Sequence, residues 1–500
     1  MQTRARRKAY LQAARATLSD LPVELLDEIA QQLDNVSLIQ FSLICKYTHR
    51  LGLHLFFSRN KIGNPAAGLV SVSSTAPVET LRALRVALFV QRLRGICYTF
   101  RPHCDIMQEM DELMCLLHRL SSVASIQLFN YRQELQVDKK EYFGKWASLL
   151  DVAFQKGCTR LQVYTGSLLI PWDGKNTGLR PARRRKEEPP YPLQEVTLAS
   201  DMHLQGSFLP LTLSMLRRSS WTLTTLTVYL DIVPTSFLKS FLRSLRLPAL
   251  LDLTLVKNSR DSDDCRLAFV DLSFFLSRHA SIARLKLGGA APAKTSTEPP
   301  KLPHLIAVAA QASYLTWILG ARDQESFPRL QRVGSLGTSF FHHYNEAANY
   351  PPFDEVFESI RPLRNPITLT LKLENYRLEE WFLSHCSAGQ ADSVISSLAC
   401  VSCLEFVASY TTHLTADILA ILPEWLALFP KLVDVQFTFF LPDDQERLCD
   451  PKILRRIARS CPNILSIVVN CKSCYLTKIR EEMETSGEGH MVEGSQADGD

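Results

Sequence analysis

A helical spacing of apolar residues marks the beginning of the chain. Leu25, Ile29 and Leu33 recur at helical intervals, with acidic and amide side chains on the opposite face, which predicts an amphipathic helix. A second short helix carries Leu38, and a third runs from about residue 46 to residue 57. Because three helices this short bury little apolar surface on their own, the pattern predicts a module that needs a partner.

Beyond about residue 120, short alternations of apolar and polar residues return at regular distances. This period of two is typical of strands with one buried face. The apolar markers lie 35, 30, 27 and 32 residues apart: Leu161, Val196, Leu226, Leu253 and Leu285. Later alternations contain Leu369, Phe406, Val435 and Ile467.

Helical spacing separates these predicted strands, for example over residues 142–154, 302–312 and 451–459. A strand followed by a helix, repeated at about 30 residues, indicates an α/β solenoid in which each unit packs on its neighbours. The alternative is a doubly wound α/β domain. The solenoid is favoured because no strand-to-helix turn carries a Gly-rich phosphate loop.

The N-terminal pattern resembles the F-box family, especially its divergent fungal versions. The resemblance is carried by Leu21-Pro22-x-Glu24-Leu25 and the spaced residues that follow it: Ile29, Leu33, Leu38, Phe41, Leu43 and Cys45-Lys46. It implies binding to a Skp-type adaptor and, through that adaptor, to a cullin. At the matched positions it implies these adaptor contacts: Leu21, Pro22, Leu25, Ile29, Leu33 and Leu38.

The repeats resemble the degenerate leucine-rich repeats that often follow a fungal F-box, although the asparagine ladder of regular repeats is missing. The chain is accordingly divided into a basic N-terminal segment, the F-box, a helical joint, the solenoid and an acidic disordered tail. Their predicted boundaries are 1–18, 19–57, 58–120, 121–475 and 476–500.

Composition describes a globular chain with little net charge. Of 500 residues, 46% are hydrophobic, and the formal net charge is +5, which argues against a concentrated nucleic-acid-binding face. Neither a signal peptide nor an apolar run of about 20 residues is evident. We therefore expect a cytoplasmic or nuclear protein that binds neither membrane nor nucleic acid.

Candidate chemistry is sparse. The pairs Cys400/Cys403 and Cys471/Cys474 are 67 or more residues apart along the chain, too far in a solenoid to share one zinc ion. His342-His343 is read as a loop pair, and the basic run 183–186 as a solvated loop or an import signal. The sequence thus predicts no catalytic residue, cofactor or metal.

Three functions are compatible with this pattern. The first is a non-catalytic substrate adaptor of a Skp–cullin–F-box ubiquitin ligase, whose repeats bind an unknown target protein. The second is an interaction scaffold that uses its F-box without ubiquitin transfer. The third is an enzyme on an α/β fold, which a polar pocket lined with titratable groups would favour.

Overall fold

The computed structural model divides the chain into two compact units, Met1–Thr222 and Leu223–Asp500. The residues it describes are 21–102, 104–131, 139–165, 190–199, 201–204, 208–230, 235–257, 269–289, 297–320, 327–335, 351–373, 377–387, 393–408, 413–439 and 441–485. The predicted basic segment 1–18, the basic run 183–186 and His342-His343 therefore lie outside the described residues.

The first unit begins with helices and continues as alternating strands and helices. Its helices are α1 (Val23–Gln32), α2 (Asn35–Phe41), α3 (Lys46–Arg59), α4 (Thr80–Val86), α5 (Ile106–Arg119), α6 (Lys139–Gln155) and α7 (Phe208–Arg218). Its strands are β1 (Leu69–Val72), β2 (Arg92–Thr99), β3 (Ser122–Asn130), β4 (Arg160–Thr165) and β5 (Glu195–Ala199).

The strands of the first unit pair in parallel and in chain order, from β1 to β5. The sheet starts at Leu69, inside the segment predicted as a helical joint. Residues 92–99 of the same segment also form a strand, in which Leu93, Ile96 and Tyr98 are buried.

The second unit continues the same alternation. Its helices are α8 (Thr235–Ser244), α9 (Phe269–Ser277), α10 (Ala312–Leu319), α11 (Pro351–Ile360), α12 (Leu378–Ser387), α13 (Ala416–Ala427), α14 (Pro442–Leu448), α15 (Pro451–Ser460) and α16 (Leu476–Thr485). Its strands are β6 (Thr225–Leu230), β7 (Asp252–Lys257), β8 (Arg284–Gly288), β9 (Ala307–Ala310), β10 (Arg332–Ser335), β11 (Ile367–Leu373), β12 (Val401–Ala408), β13 (Asp434–Thr438), β14 (Ser466–Val469) and β15 (Lys472–Tyr475).

Strands β6 to β14 are also parallel and follow the chain order. Among the described strands of either unit, the order does not reverse as it does in a doubly wound sheet. The last strand, β15, pairs antiparallel with β14 through a turn at Asn470 and Cys471, which have φ angles of 46° and 70°.

The sequence markers lie directly beside one another in the sheets. Leu161 pairs with Val196, and Leu226, Leu253 and Leu285 form one continuous row. All five are buried, while the alternate residues of the same strands are partly exposed. Each sheet therefore has one face in the core and one facing solvent, and the predicted α/β class is confirmed.

Side-chain donors connect several of the repeats to the repeat before them. At the turns that lead into strands, a hydroxyl or amide group donates to a backbone carbonyl about one repeat earlier. Examples are Ser121 to Gln91 (3.0 Å), Thr222 to Leu193 (2.7 Å), Ser281 to Leu250 (2.9 Å) and Asn463 to Pro430 (3.3 Å). Ser, Thr and Asn side chains thus form a mixed ladder of hydrogen bonds between successive repeats.

Cations close the ends of several helices. The last carbonyls of a helix have no partner within it, and here a later basic side chain binds them. Arg119 donates to Leu84 and Ala87 after α4, and Arg278 donates to Leu242 and Arg243 at the end of α8. Positive charge at this end of a helix is also favoured by its dipole.

Two further predicted boundaries differ from the structure. Residues 302–312 were expected to be helical, but Ala307–Ala310 form strand β9 and the helix follows from Ala312. Three of the four residues of β9 are alanine, which favours helices over strands, and Val308 is its one β-branched residue. Residues 476–485 form helix α16 with Leu476 and Met483 buried, so the acidic tail predicted from residue 476 cannot begin before residue 486. No helix in the described part of the chain is long and apolar enough to span a membrane.

Candidate functional site

The N-terminal module has its own small core. From α1, Leu26 and Ala30 are buried, and from α3, Phe56 and Phe57 are buried. Arg59 at the end of α3 binds the C-terminal end of α1. Its guanidinium donates to the carbonyl oxygens of Leu33 (2.6 Å), Ala30 (3.4 Å) and Gln31. The three helices are therefore held in one arrangement by their own side chains.

Helices α2 and α3 approach closely at Gly52. A Cβ atom at this position would lie 2.9 Å from the carbonyl oxygen of Leu38, which is shorter than real contacts of this kind. Leu38 itself is fully buried, and Ser42 after α2 donates to the Ile39 carbonyl at 2.6 Å. The absence of a side chain at Gly52 allows the two backbones to touch.

Hydrogen bonds at the helix N-termini fix where α2 and α3 begin. The Asp34 carboxylate accepts from the Ser37 N–H at 2.7 Å, which lowers the pKa of Asp34. At the start of α3, the Thr48 hydroxyl lies 3.4 Å from the Cys45 sulfur and accepts from the Cys45 N–H at 3.0 Å. Hydrogen bonds from Thr48 lower the pKa of the Cys45 thiol.

The surface of this module is unusually apolar for a solvent-facing region. Its exposed large hydrophobic residues are Val23, Leu25, Ile29, Val36, Leu43, Ile44 and Tyr47. Leu25 and Ile29 are 44% and 37% exposed and lie one helical turn apart on α1. Exposed apolar residues gathered in this number within one small module are typical of a protein-binding surface.

The sequence-predicted contacts divide into two groups. Pro22, Leu25 and Ile29 are exposed, and Leu21 and Leu33 are half-buried. Leu38 is 0% exposed and belongs to the core between α2 and α3, so it does not share the surface of the other five. Sequence spacing did not single out Val23, Val36, Ile44 or Tyr47, because exposed and buried apolar residues look alike in a short helix.

The solvent-facing side of the first unit's sheet forms a second candidate surface. Gln127 and Gln162 are neighbours on β3 and β4. Beside them the rings of Phe129 and Tyr164 stack with centroids 4.6 Å apart and planes 5° from parallel, and the exposed Tyr131 stacks on Phe129 at 6.0 Å. This face therefore combines amide groups with a row of aromatic rings.

The solvent-facing side of the second unit's sheet carries paired charges. Arg284 and Asp252 contact each other at 2.5 Å across β8 and β7, and Glu405 accepts from Thr370 at 2.8 Å and lies 3.5 Å from Arg332. Between these pairs the face is lined by small residues, Ala307, Ala309 and Gly334. Asp252 and Glu405 thus each have a cationic partner on the same face.

A Ser–His–Asp chain occurs in the second unit. His385 Nδ1 lies 3.0 Å from the Ser393 hydroxyl, and its Nε2 lies 3.1 Å from the Asp354 carboxylate. Ser393 is only 4% exposed, however, and its hydroxyl also accepts from the Ile395 N–H at the start of a 3₁₀ turn. This geometry ties α11, α12 and the turn together, and a buried serine of this kind offers no access to a substrate.

The cysteines that the structure describes lie apart from any cluster of metal-binding groups. Burial raises the pKa of the Cys400 thiol to about 11, and its partner Cys403 is half-buried on β12. Cys471 and Cys474 lie in the β14–β15 hairpin. In the ranges that the structure describes, no three His, Cys, Asp or Glu side chains are grouped to hold a metal ion.

Comparison with known proteins concerns the N-terminal module. Residues 18–56 match the family model of the F-box domain, and the match includes α1, α2 and most of α3. A search of the curated proteins found no protein that matches this sequence. The prediction of an F-box over residues 19–57 is confirmed to within one residue at each end. Residues 18–56 of the chain are therefore similar to an F-box domain.

Proposed function

We propose that this protein is a non-catalytic substrate adaptor of a Skp–cullin–F-box ubiquitin ligase, active in the cytoplasm or the nucleus. The observation that carries the proposal is the F-box match over residues 18–56 together with the exposed apolar side chains of the same segment. An F-box implies involvement in such ligases, and F-box domains typically bind Skp-type adaptors.

The adaptor would dock on the exposed apolar residues of the F-box. We include the predicted contacts Leu21, Pro22, Leu25, Ile29 and Leu33, and we add the exposed residues Val23, Val36, Leu43, Ile44 and Tyr47. Burying a side chain such as Leu25 or Ile29 against a partner contributes about 1.5–3 kcal/mol at full burial. Leu38 acts indirectly, because it holds α2 against α3.

The rest of the chain would be a degenerate leucine-rich-repeat solenoid of the kind that follows fungal F-boxes. Three features support this proposal: strands paired in chain order, a repeat of about 30 residues, and the side-chain ladder between successive repeats. In a solenoid each unit contacts its neighbours and leaves one extended face open for binding.

The target protein would bind on the solvent-facing sides of the sheets. In the first unit, the aromatic row of Phe129, Tyr164 and Tyr131 beside Gln127 and Gln162 supports this, since aromatic residues are enriched in protein-binding surfaces. A double variant, Tyr131→Asp with Gln162→Arg, should change the set of proteins labelled by a proximity-labelling enzyme fused to the chain. An unchanged set would place target binding elsewhere.

The mechanism requires no acid, base or nucleophile from this chain. By holding the target and the adaptor at once, it raises the effective concentration of the target near the ubiquitin-loaded enzyme. The catalytic groups belong to other subunits.

The test of adaptor binding uses the exposed F-box residues. Replacing Leu25 and Ile29 together with Asp should abolish co-purification with a Skp-type adaptor, because two buried charges would face an apolar partner. Leu383→Asp is the matched control, since Leu383 is also exposed but lies on α12. Adaptor binding that survives in the double variant would refute the proposed surface.

A second measurement separates ligase membership from scaffolding. A complex that contains the adaptor and a cullin, together with faster target turnover, would support ubiquitin transfer. A complex with the adaptor alone would indicate an interaction scaffold.

A further inference from the structure

The F-box is joined to the first repeat through one imidazole ring. His49 on α3 is half-buried. Its Nδ1 lies 2.9 Å from the carbonyl oxygen of Ser42, within the F-box, and its Nε2 lies 3.1 Å from the backbone nitrogen of Leu88. Leu88 belongs to the connection between α4 and β2, so the ring bridges the F-box and the sheet.

These two partners determine the state of the ring. A backbone carbonyl can only accept a hydrogen bond, so Nδ1 must carry the proton that binds Ser42. A backbone N–H can only donate, so Nε2 must be the unprotonated acceptor for Leu88. Both hydrogen bonds form together only when His49 is neutral and protonated on Nδ1.

Aromatic packing supports the same contact. The His49 and Phe89 rings meet edge to face with centroids 6.1 Å apart, and Phe57 meets Phe89 at 6.4 Å. Phe57 is buried in the F-box core. Phe89 therefore lies against the F-box immediately after the residue that His49 binds.

The connection is also held from the side of the repeats. Arg119 on α5 donates to the carbonyl oxygens of Leu84 (2.7 Å) and Ala87 (2.5 Å). The residues just before Leu88 are thus bound to the second helix of the repeats, while Leu88 itself is bound to the F-box. Loss of the His49 contact would release Leu88 from the F-box and leave the contacts of Leu84 and Ala87 with α5 intact.

Cations surround this joint. His49 shares α3 with Lys46 and Arg50, α4 contributes Arg82 and Arg85, and α5 contributes Arg119. The nearby acidic group on α5, Glu112, pairs with Arg85 at 3.1 Å. The other titratable groups within five residues of His49 along the chain are Tyr47 and His54 on α3 and the Cys45 thiol just before it.

We propose that His49 is a positioning residue that fixes the F-box on the first repeat, and that protonation of its Nε2 releases this contact. A protonated Nε2 would point a hydrogen atom at the Leu88 N–H, so the hydrogen bond would be replaced by repulsion. The F-box would then be held to the sheet mainly by aromatic packing. The consequence for target presentation rests on the proposed ligase function, whereas the hydrogen-bond geometry does not.

Two substitutions test the two hydrogen bonds of His49 separately. In His49→Gln, the side-chain oxygen can replace Nε2 as the acceptor for Leu88. In His49→Asn, the shorter amide can replace Nδ1 as the donor to Ser42 but cannot reach Leu88. Both side chains are neutral and do not titrate, and thermal unfolding of each full-length variant verifies that it folds.

Hydrogen exchange of the Leu88 amide in the full-length protein is the direct measurement. At neutral pH we expect similar protection in the wild type and His49→Gln, and exchange about five- to tenfold faster in His49→Asn. As the pH is lowered, the wild type should lose protection relative to His49→Gln measured at the same pH. Nitrogen NMR of labelled histidine should show the proton of His49 on Nδ1.

Two results would overturn the proposal: a proton on Nε2 at neutral pH, or equal Leu88 exchange in all three proteins at every pH. Binding of a Skp-type adaptor is measured separately on the same proteins. If the wild type fails to bind the adaptor, the proposed function fails, while the exchange data still decide the role of His49.

Discussion

The guanidinium group of Arg480 on α16 binds the carbonyl oxygen of Cys461 at 2.7 Å, just beyond the end of α15. The same side chain donates to the carbonyl oxygens of Ala458 (3.0 Å) and Ile464 (2.7 Å). One cation thus satisfies three acceptors and connects the last helix to the helix before it.

Replacing Arg480 with Ala should lower the free energy of unfolding of the second unit. Three carbonyl groups would lose a charged donor in a half-buried site, and we expect a loss of about 2 kcal/mol. Chemical denaturation monitored by circular dichroism measures it. Lys431→Ala removes an exposed cation from the same unit and should change stability by less than about 0.5 kcal/mol. Equal effects of the two substitutions would contradict the capping role.

Gly52→Ala should destabilise the F-box without changing its exposed residues. The new Cβ would approach the Leu38 carbonyl oxygen to 2.9 Å, and we expect a cost of about 1–3 kcal/mol from this overpacking. Adaptor affinity should fall with it, as measured by titration calorimetry. Gly144→Ala in α6 is the control, because nothing lies within 4 Å of that Cβ position, and helix propensity should stabilise it by about 0.5–1 kcal/mol. If both substitutions change the free energy of unfolding in the same direction, the steric explanation is refuted.

Acid should weaken the first unit through His203. Its ring is buried beside Trp146 and Phe208, its Nε2 has no hydrogen-bond partner among the described residues, and burial lowers its pKa to about 4. The unfolded chain, with a histidine pKa near 6.5, binds a proton more readily. The free energy of unfolding therefore keeps its full value above about pH 6.5 and decreases as the pH falls towards 4. At pH 5 the loss should be about 2 kcal/mol.

Denaturation curves between pH 7.5 and pH 5 measure this loss. In His203→Phe the loss of unfolding free energy at pH 5 should be smaller by about 2 kcal/mol. Substitution of the exposed His304 should leave this loss unchanged. A pH dependence that persists in His203→Phe would assign the effect to other groups.

The β14–β15 turn offers a stabilising substitution. Cys471 is exposed and has φ of 70°, and Asn470 has φ of 46°. Two successive left-handed residues define a turn in which Asn-Gly is preferred. Cys471→Gly should therefore stabilise the second unit by about 1 kcal/mol in thermal denaturation. Cys471→Ala keeps the unfavourable backbone geometry and should not.

Sequence spacing predicted the repeats well where burial alone decides the structure. Leu226, Leu253 and Leu285 were placed on strands because apolar and polar residues alternate around them, and they form one buried row. The F-box was predictable because Leu21-Pro22 and the later apolar residues keep a recognisable spacing. Both cases depend on patterns within about ten residues.

Features set by distant partners were not predictable in the same way. Ala307 and Ala309 have no preference for a strand. They form one only because they pair with β8 and β10. Leu38 and Leu25 look equivalent in sequence, yet one packs against Gly52 and the other faces solvent. His49 gave no signal, because its two partners are backbone atoms 7 and 39 residues away.

The cations at the helix ends have a consequence for the growing polypeptide. Arg119 satisfies carbonyl groups of α4 that lie 32 and 35 residues before it, and Arg278 satisfies those of α8 that lie 35 and 36 residues before it. During synthesis from the N-terminus, such a helix keeps an open end until the next repeat has left the ribosome. The C-terminal end of such a helix should therefore be capped only after about one further repeat has been synthesised. If synthesis pauses, only the most recently made helix should lack its cap.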